Sequence, residues 1–450
     1  MRSTNLVAVI IRDPALLSIY ELSYLNPQEI IMRLQTLPEW LSWLESLHPK
    51  AIDLGLDRVR TVGERLQIIS PKVPVITVGG TNGKGSCVAF LSTIYQLAGY
   101  RTGVYTSPHL LQYNERVVIN GEMASDDALI AAFCAVDNAR GDISLTYFEF
   151  GTLAAFWLFS QQKLDLWVVE VGLGGRLDAV NIIDNDLAII ASIDLDHQDY
   201  LGDTIEAIGS EKAGIFRENR PAIIGGDKIP NSLIDHAKKI NANLYTINKN
   251  FCYYINEGRT HWSFVSGNKT YQQLPPVQLK LSNAAVSIMA VELLQERLPV
   301  TFEVICKGLA QARVMGRFWR LLSNPQCIVD VAHNPAAANE LARQLSLQPL
   351  TGKTVAVVGI LHDKDIVGVL KALIPVIDNW VLATLTGPRG TSAAQLGAYL
   401  EQLGQDNYQL ADSVAKAYQE AVNQIGVTDR IVVFGSFYTV AEVLAIDKRV

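Results

Sequence analysis

At 450 residues, with 49% hydrophobic and 18% charged side chains, the chain has the composition of a folded protein of two or three domains, not of a disordered one. Its net charge of −7 and the lack of any basic run argue against nucleic acid or an anionic membrane surface as the main partner. Five cysteines, odd in number and without metal-ligand spacing, fit thiols kept in a reducing cytoplasm; the apolar run at 6–11 is too short for a signal-peptide core, and no run reaches membrane-spanning length.

Residues 1–37 carry no recognisable chemistry and read as a leader. From Pro38 the stretch EWLSWLESLHP has apolar residues at helical spacing, followed by a turn at 50–56 and a helix at 57–69. A β-branched run at 75–78 reads as a buried strand. Four glycines in seven residues follow (Gly79, Gly80, Gly83, Gly85), with Lys84 and Ser86, and then apolar residues at helical spacing as far as Gly99. A strand, a glycine loop and a helix N-terminus bind phosphate, because loop N–H groups and the positive helix end face the anion while the lysine adds a full charge. Gly85 separates Lys84 from Ser86, which departs from the P-loop consensus, where lysine and Ser/Thr are adjacent. A glycine-rich surface turn is the minor alternative.

Next come a strand through Val104 and Tyr105, a polar turn at 106–109, a short strand at 116–119, and helices at 124–138 and 147–161. Apolar strands at 164–171 and 187–193 end near Glu170 and Asp194. The alternation predicts a parallel sheet covered on both faces, with ligands beyond the C-terminal strand ends. The phosphate loop, Ser107, Glu170 and His197 fall there. Glu170 precedes Gly172, Gly174 and Gly175 and is placed to reach the magnesium of a bound nucleotide; the bland alternative is a strand-end surface acid. VGLGGR is no dinucleotide fingerprint, since Leu177 takes the place of the third glycine, so a dehydrogenase is set aside. His197 alone would be read as structural; its place on the same rim argues for a ligand. Lys212, near a helix end, reads as a solvated lysine.

Residues 245–278 suggest antiparallel hairpins, and 283–297 a helix, with Leu298-Pro299 as the domain boundary. Strands at 327–331, 354–360, 380–384 and 430–434, with helices between them, predict a second, smaller α/β domain. Asp330 ends the first of these strands and His333 and Asn334 follow, a turn suited to ribose and phosphate contacts. Arg317 is positioned to clamp a transferring phosphoryl group from across a cleft.

VGGTNGKGS, YTSPHL with YNERV, EVGLGGRLDAVN, DLDHQDYLG, SEKAGIF, DVAHNP, GILHDKD and FGSFYTVAEV occur in this order. Together they resemble the ATP-dependent amide ligases of the Mur ligase superfamily, in the folylpolyglutamate synthase branch. TSPHL with GDISLTYFEFGTLAA is most similar to the bifunctional bacterial members, which make dihydrofolate as well as folate polyglutamates. The resemblance runs from about residue 37 to the C-terminus. It implies a P-loop-type parallel-sheet ATPase domain (38–298) and a smaller Rossmann-like α/β domain (299–450). It implies ATP and Mg²⁺, at two sites, as cofactors, and 7,8-dihydropteroate, tetrahydrofolates and L-glutamate as substrates.

Carried over by motif, Thr81, Asn82, Gly83, Lys84, Gly85 and Ser86 would hold the ATP phosphates. Asn283, Arg317 and Asp330 would complete the nucleotide site, with His333 beside the phosphates. Ser107, Glu170 and His197 match metal ligands, and Lys212 matches a lysine carbamylated in the family. Thr146, Tyr147, Phe148, Glu149, Leu177, Asp178 and Ala179, with Asp53, Leu54, Gly55 and Leu56, would line the pterin side. Met315 stands where the family has proline, which loosens the turn that aims Arg317. The expected protein is a cytoplasmic monomer with no nucleic-acid or membrane partner. Rival readings are a monofunctional folylpolyglutamate synthase, a cell-wall precursor ligase, and a nucleotide-sensing binding protein.

Overall fold

The computed structural model describes residues 34–446 apart from 51, 227 and 324. The leader expected at 1–37 lies almost wholly outside the described residues. The chain first forms the amphipathic helix Leu37–Ser46, capped by a reciprocal Thr36–Glu39 box and burying Leu37, Trp40 and Leu44. Helix Asp57–Arg65 follows and stops short of the expected end, with Gln67 in the left-handed region just beyond it.

The first body is built on eight strands: β1 (Val75–Gly79), β2 (Thr102–Tyr105), β3 (Val117–Ile119), β4 (Glu122–Met123), β5 (Leu166–Glu170), β6 (Leu187–Ile190), β7 (Pro221–Ile224) and β8 (Asn243–Thr246). Their spatial order is β4-β3-β2-β5-β1-β6-β7-β8. Pairing is parallel from β2 to β8, and β3 and β4 add an antiparallel edge. Strand β1 is central and buried on both faces. Val75 joins the layer under helices Leu37–Ser46, Asp126–Arg140 and Tyr147–Ser160, while Ile76 and Val78 join the layer under helices Lys84–Leu97 and Leu281–Leu293. The register sets Val78 opposite Glu170 and Gly79 opposite Ile190, so the neighbouring strands end level with the glycine loop. A small antiparallel sheet, β9 (Phe251–Ile255), β10 (Trp262–Ser266) and β11 (Lys269–Leu274), packs Phe251, Trp262 and Phe264 into the second of those layers.

The second body carries β12 (Trp319–Ser323), β13 (Gln326–Asp330), β14 (Thr354–Val358), β15 (Asn379–Ala383), β16 (Tyr408–Ala411) and β17 (Arg430–Phe434), in the order β12-β13-β17-β14-β15-β16, with only β12 antiparallel.

Three expectations need correction. Both sheets are larger than the apolar runs announced, since β4, β7 and β8 in the first and β12 and β16 in the second were not foreseen, and residues 245–246 close β8 instead of opening a hairpin. Strand β6 stops at Ile190, which leaves 191–196 as the segment that holds the phosphate loop. Helix Phe302–Gln311 lies beyond Leu298-Pro299 yet buries Ile305 and Leu309 in the first body's core. It lies so close to helix Lys84–Leu97 that a Cβ on Gly308 would meet Ile94 Cγ1 at 2.4 Å. We therefore place the boundary after Ala312. Among the described residues no helix is long and apolar enough to cross a membrane.

Candidate active site

The glycine loop is pinned from the side. Thr81 N–H donates to the Ser192 carbonyl (2.8 Å), Asn82 N–H to Ser192 Oγ (3.2 Å), and Asp194 N–H to Thr81 Oγ1 (3.0 Å). The helix starts at Lys84, behind Gly83 at φ 88°, and Lys84 Nζ reaches back to the carbonyls of Gly80 (3.1 Å) and Thr81 (3.3 Å). Such an arrangement leaves N–H groups and a cation facing open space, the geometry that binds phosphate. A Cβ on Gly83 would sit 2.7 Å from Asn283 Nδ2, which brings that asparagine directly onto the loop, and one on Gly85 would lie 3.8 Å from Glu170 Oε2.

Glu170 is 5% exposed, and burial pushes its carboxyl up to about 7, against the opposing pull of Lys84, Arg317 and the Ser107 N–H. Asp178 is likewise buried and raised to about 6, although its oxygens accept from Leu173 N–H (2.7 Å) and Val180 N–H (3.0 Å). Lys212, on helix Ile205–Ala213, is buried and not the solvated lysine its flanking residues suggested. Glycines at 175 and 214 allow this, because the 172–176 turn packs directly on the end of that helix. Burial, reinforced by Lys84, lowers the Lys212 ammonium to about 7.

A free lysine has its pKa near 10.5, so between that value and 7 the unfolded chain binds more protons and stability must rise with pH. The penalty is complete below 7 and fades as pH climbs toward 10.5. In bicarbonate-free buffer, Lys212→Met is expected to remove a gain of about 2 kcal/mol between about pH 7 and about pH 9, read from urea melts of both proteins.

At the other end, Tyr147 and Phe148 open the helix Tyr147–Ser160, capped by Thr146. Phe148 lies over Gly172, and the Arg116 guanidinium stacks on Tyr147 at 5.6 Å. Glu149 lines this end too, but its carboxylate is already engaged. Its Oε2 takes the Thr146 N–H and hydroxyl (2.8 and 2.9 Å), and Arg58 Nε binds both its oxygens (2.9 and 3.0 Å). Arg58 also holds the Asp53 carboxylate and carbonyl, so one guanidinium ties the 52–56 loop to the aromatic helix. Arg58→Ala is expected to cost about 2–4 kcal/mol in a urea melt, because Glu149 loses its counter-charge in a buried place. The same change should free the loop and weaken the binding of any ligand held between Leu54 and Phe148.

The second body supplies the opposite wall. Arg317 is half-buried over the Phe437 ring (5.5 Å), its guanidinium makes no hydrogen bond among the described residues, and desolvation lowers its pKa against the opposing pull of Asp330 and Glu170. Asp330 spends its two oxygens on the N–H groups of Phe318 (2.7 Å) and Ala332 (2.8 Å). His333 Nδ1 faces the Val331 carbonyl at 2.8 Å and so must carry the proton there. Across the seam, Asn82 and Asn334 exchange hydrogen bonds (3.1 and 3.0 Å), and Asp196 meets Lys364 Nζ at 2.8 Å and His333 Nε2 at 3.6 Å. Burial opposes ionisation of Asp196, but His333, His197 and Lys364 outweigh it and hold the carboxyl well below the usual range.

Models of the Mur ligase middle domain match residues 78–290, and of the Mur ligase glutamate ligase domain residues 316–437. The dihydrofolate synthase/folylpolyglutamate synthase of Escherichia coli strain K12 is 46% identical over 414 residues, covering 92% of this chain and 96% of its own. The chain belongs to the dihydrofolate synthase/folylpolyglutamate synthase family. Two solved structures of such enzymes cover 92% of it and 98% of themselves. One is E. coli FolC in complex with DHPP and ADP (TM-score 0.88, 45% identity), and the other is the Yersinia pestis bifunctional enzyme complexed with AMPPNP and Mn ion (TM-score 0.86, 44% identity).

For this family member, one cavity of about 580 Å³ gathers most of the residues singled out above. Thr81, Asn82, Lys84, Ser107, Glu170, His197 and Lys212 line it together with Arg317 and His333, and Asp53, Leu54, Thr146, Tyr147, Phe148, Glu149, Leu177, Asp178 and Ala179 line its far side. Gly83, Gly85, Ser86 and Asn283 form the loop and its backing, Asp330 stands behind Arg317, and Gly55 and Leu56 sit in the turn before helix Asp57–Arg65. Sequence reasoning passed over Asp196, Lys364 and Arg58. DLDHQDYLG and GILHDKD had drawn attention to the right turns, but the pairing of Asp196 with Lys364 spans 168 residues and has no local signature.

Proposed function

We propose that the protein is an ATP-dependent amide ligase that adds L-glutamate to 7,8-dihydropteroate and to the glutamyl tail of tetrahydrofolates, releasing ADP and phosphate. The observation that carries this reading is the single cavity with a phosphate loop and two facing cations at one end and an aromatic, acidic floor at the other. Lys84 and Arg317 would flank the γ-phosphoryl group as it passes to the substrate carboxylate, offsetting charge on the three phosphoryl oxygens. The acyl phosphate so formed is an electrophile that the glutamate amine attacks, with phosphate as the leaving group. No side-chain nucleophile is needed. Tyr147 and Phe148 would hold the flat heterocycle, and Arg58 would keep their loop and helix in register.

Magnesium fits the donors. Glu170 is a buried carboxylate that no side chain hydrogen-bonds among the described residues, and the Ser107 backbone lies against it. No three His, Cys, Asp or Glu side chains converge on one point among the described residues, so Ser107 Oγ, Glu170, His197 and nucleotide oxygens would hold the ion, with a carbamylated Lys212 as a further oxygen donor. The ion would supply charge neutralisation at the phosphates. The reading is tested by ADP release with MgATP and L-glutamate, comparing 7,8-dihydropteroate with tetrahydrofolate. Turnover with both is expected. Turnover with the folate alone would leave a polyglutamylase, and turnover with neither would overturn the assignment.

A further inference from the structure

The loop after β2 does more than carry Ser107. Its Leu110 crosses the seam and is, among the described residues, the one apolar side chain of the first body in the second body's cluster of Val331, Val440, Met315 and Trp319. There it lies on the turn that precedes Arg317. Gly316 has φ 71°, and a Cβ placed on it would meet Leu110 Cδ1 at 2.9 Å, Val331 at 3.2 Å and Val440 at 3.4 Å. The turn is closed by Arg317 N–H to the Val314 carbonyl (3.1 Å) and tied to the strand end by Val331 N–H to the Gly316 carbonyl (2.8 Å). Because no hydrogen bond reaches the Arg317 guanidinium among the described residues, the backbone of this turn and the Phe437 ring, with the pull of Asp330 and Glu170, decide where it points.

The loop that brings Leu110 is stiff. The Glu115 carboxylate accepts from three successive N–H groups, those of Leu110 (2.7 Å), Leu111 (2.7 Å) and Gln112 (2.8 Å). Thr106 N–H is held by the Arg116 carbonyl (3.0 Å), and Arg116 Nε reaches His109 Nδ1 (2.8 Å). A leucine on such a frame transmits position instead of absorbing it.

We infer that Leu110 is a positioning residue: a wedge from the first body that sets the Val314–Gly316 turn and so aims Arg317, placing Ser107 and Arg317 from one rigid loop. The two bodies then need no hydrogen bond to the guanidinium to bring it into line; docking of one side chain suffices. It also answers the missing proline at Met315, since the turn is braced from outside. This inference rests on the ligase reading, and the experiment separates the two: a parent enzyme without turnover sinks the reading, whereas an indifferent Leu110 sinks only the inference.

Leu110→Ala and Leu110→Met are made in the parent and in an Arg317→Lys background. ADP formation is followed in steady state and, for the slow variants, in single turnover, with ADP affinity and thermal unfolding measured alongside. Leu110→Ala should lower kcat by about tenfold with KM for 7,8-dihydropteroate changed less than about twofold, and Leu110→Met should stay within about threefold of the parent. In the Arg317→Lys background, Leu110→Ala should add less than about threefold, because the group it positions is already changed. An equal loss in both backgrounds, or an unaltered kcat in Leu110→Ala, overturns the inference. If Leu110→Ala does not fold, Leu110→Val carries the same comparison with about a threefold loss expected in the parent alone.

Discussion

Replacing Lys84 with alanine is expected to lower kcat by about three orders of magnitude while the protein keeps its fold. The lysine opens helix Lys84–Leu97, yet it is only partly buried, and among the described residues its ammonium hydrogen-bonds only the carbonyls of Gly80 and Thr81. Alanine is at least as good a helix former, and the loop remains pinned through Ser192 and Asp194, so little stability is at stake. What disappears is the one full positive charge carried by the loop itself. The check is ADP release under saturating MgATP together with thermal unfolding. Undiminished turnover in a folded Lys84→Ala enzyme would mean the nucleotide is held elsewhere.

Arg317→Ala should fall by about two to three orders of magnitude in kcat with little change in stability. The guanidinium is half-buried at the cavity wall with no hydrogen bond among the described residues, its charge is offset by Asp330 and Glu170, and Asp330 is already satisfied by two backbone N–H groups. Its desolvation and the attraction of those carboxylates oppose one another, so its removal is expected to leave the urea melt within about 1 kcal/mol of the parent. A folded variant that is both slower and less stable by several kcal/mol would show that Arg317 is a structural residue instead.

The sequence spoke most clearly where one stretch of chain both makes and uses a feature. The glycine loop, its strand and its helix are contiguous, and β5 announces itself by an unbroken apolar run that ends in Glu170. Edge strands were silent for the same reason: β8 (NLYT) and β16 (YQLA) face water along much of their length and show no such run. Pro299 marks a turn inside the first body, not its border, because the burial of Ile305 and Leu309 depends on a helix some two hundred residues earlier. Lys212 looked ordinary since nothing in SEKAGIF says that the 172–176 turn will cover it. Arg58 and Glu149 lie 91 residues apart, and their pairing made two residues expected to greet the substrate, Glu149 and Asp53, into partners of an arginine.

Apart from Leu110 and Val314, the contacts described here between the two bodies are made by amides and ions: Asn82 with Asn334, and Asp196 with Lys364 and His333. An oily seam clings and must be rewetted whenever it parts, whereas each of these bonds can be exchanged for one to water as the halves separate. The molecule can thus let go as readily as it grips. For a catalyst whose product is its next substrate, one glutamate longer, an easy release is what allows the growing tail to be handed back to the same cleft.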